Sequence, residues 1–276
     1  MTVLSGLLLV AGVLAYGVAG AKLHSGSRAE GSALRSGQWW LGTSLQAVGF
    51  LFTLVARRAL PLLLVQAVTS AGLAVTAVYE HLTGVRRLSA RTASLIGLVV
   101  VSLAVVATAS ETGPSVAIEP VHLALLVVGA VVAGALWFVR MPPLLSGAFA
   151  GWGYSVGAIG ARLVMGDPAH PPWVFWQLPW QNWAAGVLTV GAIVLGQMHL
   201  TRGLSAPDAA PVLAAMYFLE VCLPAAVGLT LLGEWPRPGM AWPMALGAAV
   251  ALGGTLTLAF RLQPHEEGAA AGRPHT

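Results

Sequence analysis

The sequence predicts an all-α protein, a polytopic transmembrane helical bundle of about nine helices. Of its 276 residues, 57% are hydrophobic and only 9% are charged, whereas ordinary soluble domains carry roughly 25% charged residues. The apolar residues fall into repeated runs of about 20, the length with which a helix crosses a hydrocarbon core of roughly 30 Å. Lipid offers backbone groups no partners and the alternation of barrel strands is missing, so each run is predicted to be a helix.

Nine apolar runs follow one another along the chain. No positive charge precedes the first, so we interpret it as a retained helix rather than a signal peptide. The second opens with two tryptophans, which favour a membrane interface. The third and eighth begin with a proline near their start, and the sixth and ninth are rich in glycine, which permits close helix packing. The runs lie near residues 3–21, 38–56, 59–82, 92–110, 121–139, 143–164, 181–200, 208–232 and 240–260.

The basic residues predict the orientation of the bundle. Ten of the 14 Lys and Arg residues follow the odd-numbered runs and four lie on the opposite side. Because cytoplasmic loops carry the excess of positive charge, the N-terminus is predicted outside and the C-terminus in the cytoplasm of a plasma membrane. This distribution also accounts for the net charge of +4, so a nucleic-acid partner is not expected. The four on the outer side are Arg57, Arg58, Arg162 and Arg237.

The chain is interpreted as one membrane domain, residues 1–276, without a soluble domain. Residues 262–276 are short of apolar side chains and are predicted to form a disordered cytoplasmic tail. The sequence contains no phosphate-binding glycine loop, no Cys/His cluster of metal-ligand spacing and no nucleophile triad. We therefore expect no enzymatic activity, no cofactor and no metal site.

Two segments of the sequence are similar to each other. The stretch ALPLLLVQAVTSAGLAVTAVYEHLTGVRRLS aligns with AAPVLAAMYFLEVCLPAAVGLTLLGEWPRPG at an offset of about 150 residues. Pro61 then lies opposite Pro211, and Gly84 opposite Gly233. Each segment is followed by a short basic turn and a glycine-rich helix. The third and fourth helices are thus predicted to be repeated as the eighth and ninth.

The spacing of the copies predicts an inverted repeat. The second copy is displaced from the first by five helices, and an odd displacement reverses the direction of the chain across the bilayer. The first half would comprise residues 1–115 and the second residues 121–261. Secondary transporters use such inverted halves for alternating access, with the substrate site near the midplane where the halves meet.

The pattern resembles the drug/metabolite transporter superfamily, in its EamA-like branch. The ending LLGEWPRPGMAWPMALGAAVALGG is similar to the proline-led helix, Gly-Glu turn and glycine-rich helix that close each half in that family. A narrower similarity is to the nine-helix NIPA-type magnesium transporters, through WWLGTSLQAVGF and GQMHLTRGLSAPDAAPVLAAMYF. The resemblance covers the chain from the second helix onward. The second half keeps the turn glutamate as Glu234, whereas the first half has Val85 at that place.

One carboxylate, Glu220, lies in the middle of the eighth run. A charge at the bilayer centre costs about 2.5 kcal/mol or more, so this side chain is expected to face the bundle interior, where it can be protonated, paired or hydrated. Pro224 has no amide hydrogen, so the carbonyl of Glu220 loses its helical donor. Other polar residues at this depth could converge with it. The candidate ligands of a substrate or coupling ion are Glu220, Tyr217, Gln66, Thr69, Gln46 and Tyr154.

We interpret the chain as a secondary membrane transporter of a small organic metabolite or drug-like solute, with protons exchanged at Glu220 as an option. Two alternatives stay open. A NIPA-like carrier of magnesium or another divalent cation needs oxygen ligands beyond one carboxylate. In a non-transporting scaffold subunit, Glu220 only hydrogen-bonds a neighbouring helix. The expected partners are the solute or ion and the lipid bilayer, and a homodimer is left open.

Overall fold

The computed structural model describes residues 2–27, 32–84, 89–111, 113–114, 116–167, 169–206 and 210–261, and these residues contain no β-strand. The predicted all-α class is confirmed. Some predictions concern residues outside this set, namely the tail 262–276 and Val85. Four of the basic residues used for the orientation also lie outside it: Arg28, Arg86, Arg87 and Arg273. The helices are α1 (Thr2–Ser27), α2 (Gly37–Ala56), α3 (Leu62–Ser70), α4 (Gly72–Leu82), α5 (Ala90–Ala109), α6 (Pro120–Trp137), α7 (Pro143–Gly166), α8 (Trp180–Leu204), α9 (Ala210–Thr230) and α10 (Ala241–Arg261).

Seven segments within the described residues are long and apolar enough to cross a membrane. The protein is therefore a multi-pass membrane protein. The predicted count of nine is not confirmed by this measure. The two remaining predicted runs are α7, which is diluted by glycine, serine and aromatic residues, and α10, whose apolar part spans only Ala241–Thr257.

The third predicted run is broken in its middle. α3 ends at Ser70 and α4 begins at Gly72, with Ala71 in a turn whose amide donates to the Val68 carbonyl at 3.1 Å. The hydroxyl of Ser70 donates to the Ala67 carbonyl at 2.7 Å, a local bond that competes with regular helix. The predicted run still forms one apolar membrane span, Leu62–Tyr79, but a turn at Ala71 divides it into two helices.

Helix α7 lies at the centre of the bundle. It packs on α8 through Gly153, against Gly196, and on α9 through Gly147 and Gly151. A methyl group at Gly151 would lie 3.0 Å from the Met216 carbonyl carbon. Because only glycine lets two backbones approach this closely, the glycine-rich composition of this helix is explained by packing.

Contacts between helix ends and loops define two ends of the bundle. At end A, the Arg237 amide donates to the Ala109 carbonyl at 2.9 Å, and the Arg58 guanidinium lies 4.2 Å above the Trp173 ring. At end B, the Trp39 indole donates to the Thr201 hydroxyl at 3.2 Å. The C-termini of α2, α5, α7 and α9 are at end A, and those of α1, α6 and α8 are at end B.

A clasp at end A joins three parts of the chain. The Arg162 side chain on α7 donates from Nε to Glu234 Oε1 at 2.8 Å, and Glu234 Oε2 accepts the Leu62 amide at 2.6 Å. Both charged residues are 5% exposed. Glu234 thus caps the N-terminus of α3, where amide groups have no helical partner. We call Arg162, Glu234 and the Leu62 amide the end A clasp.

The loop after α7 is fixed by Asp167, which is 5% exposed. Its oxygens accept from the Ala169 amide and pair with His170, both at 2.9 Å. Burial would raise the pKa of Asp167, but His170, the Ala169 amide and Asn182 together hold the pKa below its ordinary value. The loop contacts therefore stabilise the fold above the ordinary carboxyl pKa, and this contribution is lost as the pH falls through the lowered pKa.

The helix directions give a testable topology. The chain enters α1 at end A and leaves α10 at end B, so we expect reporters fused before Thr2 and after Arg261 to lie on opposite faces of the membrane. The charge distribution further predicts the C-terminal reporter in the cytoplasm. Paired fusions to an alkaline phosphatase and a fluorescent protein measure this. Both reporters on one face would contradict the helix order.

Candidate functional site

The Glu220 carboxylate is half-buried in the middle of α9. Pro224, four residues later, has no N–H group, so the Glu220 carbonyl lacks its usual helical hydrogen-bond donor. The structure supplies another donor, because the Gln66 side-chain amide on α3 donates to that carbonyl at 3.0 Å. One residue earlier, the Leu219 carbonyl accepts from the Ser155 hydroxyl on α7 at 3.0 Å. Two neighbouring helices therefore hold the backbone of α9 at this point.

From Gln66 a chain of polar side chains runs toward end A. Gln66 is fully buried, and its Oε1 accepts from Arg57 Nη2 at 2.8 Å. Arg57 Nη1 donates to Thr53 Oγ1 at 3.0 Å, and Thr53 lies 3.4 Å from the Tyr16 hydroxyl. Glu220 is thus linked to a buried arginine through a neutral amide.

A second chain of polar side chains runs from the bundle centre toward end B. The Tyr154 hydroxyl accepts from Gln46 Nε2 at 2.8 Å and donates to Gln197 Oε1 at 2.6 Å. Gln197 Nε2 in turn lies 3.5 Å from the Thr43 hydroxyl. These residues come from α2, α7 and α8, so three helices meet at one tyrosine.

The Glu220 carboxylate interacts electrostatically with residues of both series of polar side chains. Its charge interacts with Arg57 from the end of α2 and with the phenol groups of Tyr16 on α1, Tyr154 on α7 and Tyr217 on α9. Gln66 is the neutral polar side chain that interacts with the carboxylate itself. The site therefore combines one ionisable carboxyl group inside the bundle with one cation and several neutral hydrogen-bonding groups.

The predicted ligands are distributed unevenly around Glu220. Gln66 contacts the Glu220 backbone directly, Tyr217 lies on the same helix, and Tyr154 and Gln46 bind each other. Thr69 is buried, but its hydroxyl donates to the Gln66 carbonyl of its own helix at 2.9 Å. The Thr69 hydroxyl is thus bonded within its own helix, and its role as a ligand stays a prediction.

Sequence reasoning missed Arg57 and Gln197. Arg57 was counted as an outer loop charge, yet it is only 3% exposed and its guanidinium lies inside the bundle. Gln197 is not among the predicted ligands, yet it binds Tyr154. One signal could have indicated Arg57: it follows Thr53 by one helical turn, so the two side chains share a helix face.

Comparisons with known proteins do not assign the chain to a family. No family model matches the chain, and no curated protein or solved structure is significantly similar to it. The resemblance to the drug/metabolite transporters therefore stays a prediction. Among the described residues, no three His, Cys, Asp or Glu side chains lie close enough together to hold a metal ion.

Proposed function

We propose that the chain is a secondary transporter of a small organic solute, and that Glu220 couples this transport to protons. The observation that carries the proposal is the position of this carboxylate. It is half-buried at the middle of α9 and has polar side chains leading toward both ends of the bundle. Ionisable residues at such depth are costly, and in membrane proteins they commonly belong to substrate or proton pathways.

The packing of the helices supports alternating access between two inverted halves. α1 packs closely on α2, as α7 does on α8. If these pairs are equivalent, α5 matches α10 and the broken segment α3–α4 matches α9, and both of these matched pairs are in contact. Gly84 and Gly233, opposite each other in the sequence alignment, both have positive φ, at 75° and 62°. Glu220 and Gln66 then lie where the two halves meet, the usual place of a transporter site.

The test of the proposal is uptake into vesicles that contain the purified protein. We expect a panel of small organic solutes to include at least one that accumulates under an imposed pH gradient. Glu220→Gln keeps the shape and hydrogen bonding of the side chain but cannot ionise, so it is expected to abolish pH-driven uptake while the protein still folds. Glu111→Gln is a matched control, because Glu111 is an exposed carboxylate at end A and is expected to transport as the wild type does.

The outcomes separate the proposal from its alternatives. Full pH-driven uptake by the Glu220→Gln protein would leave Glu220 as a hydrogen-bonding group between helices. Uptake of magnesium that depends on Glu220, with no uptake of organic solutes, would favour the divalent-cation carrier. A chain that moves neither class of solute would be the scaffold subunit.

A further inference from the structure

Arg57 is a buried cation with no anion at ion-pair distance among the described residues. It is 3% exposed, and its terminal nitrogens donate to two neutral side chains, Thr53 and Gln66. Its Nε–H has no hydrogen-bond partner. Within the described part of the chain, no carboxylate lies at ion-pair distance from it, and Glu220 is reached only through the Gln66 amide. A buried charge is expensive unless an anion and hydrogen bonds compensate it.

We propose that Arg57 binds the anionic group of the transported solute, and that this group is a carboxylate. The inference rests on the proposed function, since it names the class of solute for the same site. The carrier is then one for organic monocarboxylates, with the guanidinium of Arg57 as their binding group.

One edge of the guanidinium is left without a hydrogen-bond partner. The Phe50 ring lies 5.4 Å from its central carbon and covers one face, while Thr53 and Gln66 each take one terminal nitrogen. The Nε–H on the remaining edge has no hydrogen-bond partner and is closed off from solvent by the surrounding protein in this conformation. A carboxylate fits this edge because its two oxygens match the parallel N–H groups of a guanidinium, which a neutral or cationic group does not.

Glu220 couples the binding of an anion at Arg57 to the binding of a proton. The groups that face Glu220 are Arg57 from the end of α2 and three phenols, Tyr16 on α1, Tyr154 on α7 and Tyr217 on α9. Arg57 is therefore the only cation among them, and a solute carboxylate and an ionised Glu220 compete for its charge. Protonation of Glu220 removes the competitor. One anion and one proton are then bound together and move in the same direction.

Ligand-induced stabilisation of the purified protein tests the anion site independently of transport. The probes are benzoate and benzamide, which share a shape and differ in charge, and the measurement is the unfolding midpoint against probe concentration. We expect benzoate to raise the midpoint in mildly acidic buffer and to raise it less in mildly alkaline buffer. Benzamide is expected to have little effect in either.

Four variants distinguish a ligand site from a structural contact. Arg57→Gln is expected to weaken benzoate binding by about tenfold or more, since it removes a charged hydrogen-bond donor, and Arg57→Lys is expected to retain part of it. Glu220→Gln is expected to bind benzoate at least as tightly as the wild type, without the pH dependence. Arg58→Gln is the control, because Arg58 is the neighbouring arginine but is exposed over Trp173, and it is expected to respond as the wild type does.

The results that would overturn the anion site differ from those that would overturn transport. Benzoate that stabilises the protein no better than benzamide, or equally well in the Arg57→Gln and Arg58→Gln proteins, excludes Arg57 as the anion-binding group. If the protein also takes up a neutral solute under a pH gradient, transport stands and the solute class is wrong. Arg57-dependent binding of benzoate without uptake of any solute supports the anion site and contradicts the proposed transport.

Discussion

Replacing Glu234 by alanine is expected to lower the free energy of unfolding by about 3–5 kcal/mol, the cost of leaving a buried charge without its partner. Arg162 would lose its carboxylate, and the Leu62 amide at the start of α3 would lose its acceptor. Unfolding in a denaturing detergent, followed by circular dichroism, measures the change. Glu111→Ala removes an exposed carboxylate at the same end of the bundle and is expected to change the stability by less than about 0.5 kcal/mol.

A double-mutant cycle separates the two contacts of the end A clasp. Glu234→Gln keeps an acceptor for the Leu62 amide but leaves Arg162 buried and unpaired. Adding Arg162→Met removes that unpaired charge, so the double variant is expected to be more stable than Glu234→Gln alone. A double variant that is less stable than either single variant would show that the clasp is not held by charge compensation.

Gly151→Ala is expected to lower the free energy of unfolding by about 1–3 kcal/mol, the usual cost of overpacking. The added methyl group would meet the Met216 carbonyl on α9, and backbone cannot move aside as a flexible side chain can. α7 and α9 would be forced apart next to the bond between Ser155 and the Leu219 carbonyl. We therefore also expect reduced solute uptake into vesicles.

Gly191→Ala is the matched control for this substitution. Gly191 lies inside α8, and a methyl group there would meet no atom within 4 Å. Since alanine favours helix over glycine by about 1 kcal/mol, this variant is expected to be as stable as the wild type or more stable. Equal stability of the Gly151→Ala and Gly191→Ala proteins would contradict close packing between α7 and α9.

The sequence was sufficient for the class of fold because lipid imposes a strong rule on composition. An apolar run of about 20 residues has to be helical, so the runs and the helices coincide within a few residues. The break at Ala71 could not be predicted, since alanine is a strong helix former and the turn depends on local bonds from Ser70. Pro224, the usual signal for a break, lies inside the continuous helix α9.

The candidate site was predictable where a residue's depth along its helix decides its surroundings. Glu220 lies at mid-span of α9, and Gln66, about one turn into α3, contacts its backbone carbonyl. Arg57 and Gln197 were missed because long side chains act at a distance from their own backbone. The backbone of Arg57 lies at the end of α2, a position that indicates a loop residue. Its side chain extends back into the bundle, so the guanidinium is buried among helices.

The break between α3 and α4 divides one transmembrane segment into two parts, each of which is hydrogen-bonded to a different helix. α3 is tied to α9 by the bond from Gln66 to the Glu220 carbonyl, whereas α4 is tied to α1 by the Thr76 hydroxyl, which donates to the Gly17 carbonyl at 2.7 Å. A rigid helix would transmit any tilt of one attachment to the other. A segment interrupted by a turn at Ala71 can take up the tilt in a few dihedral angles, as hinges do. In the proposed alternating access, we expect this break to let the contacts at one end of the bundle open while those at the other end hold.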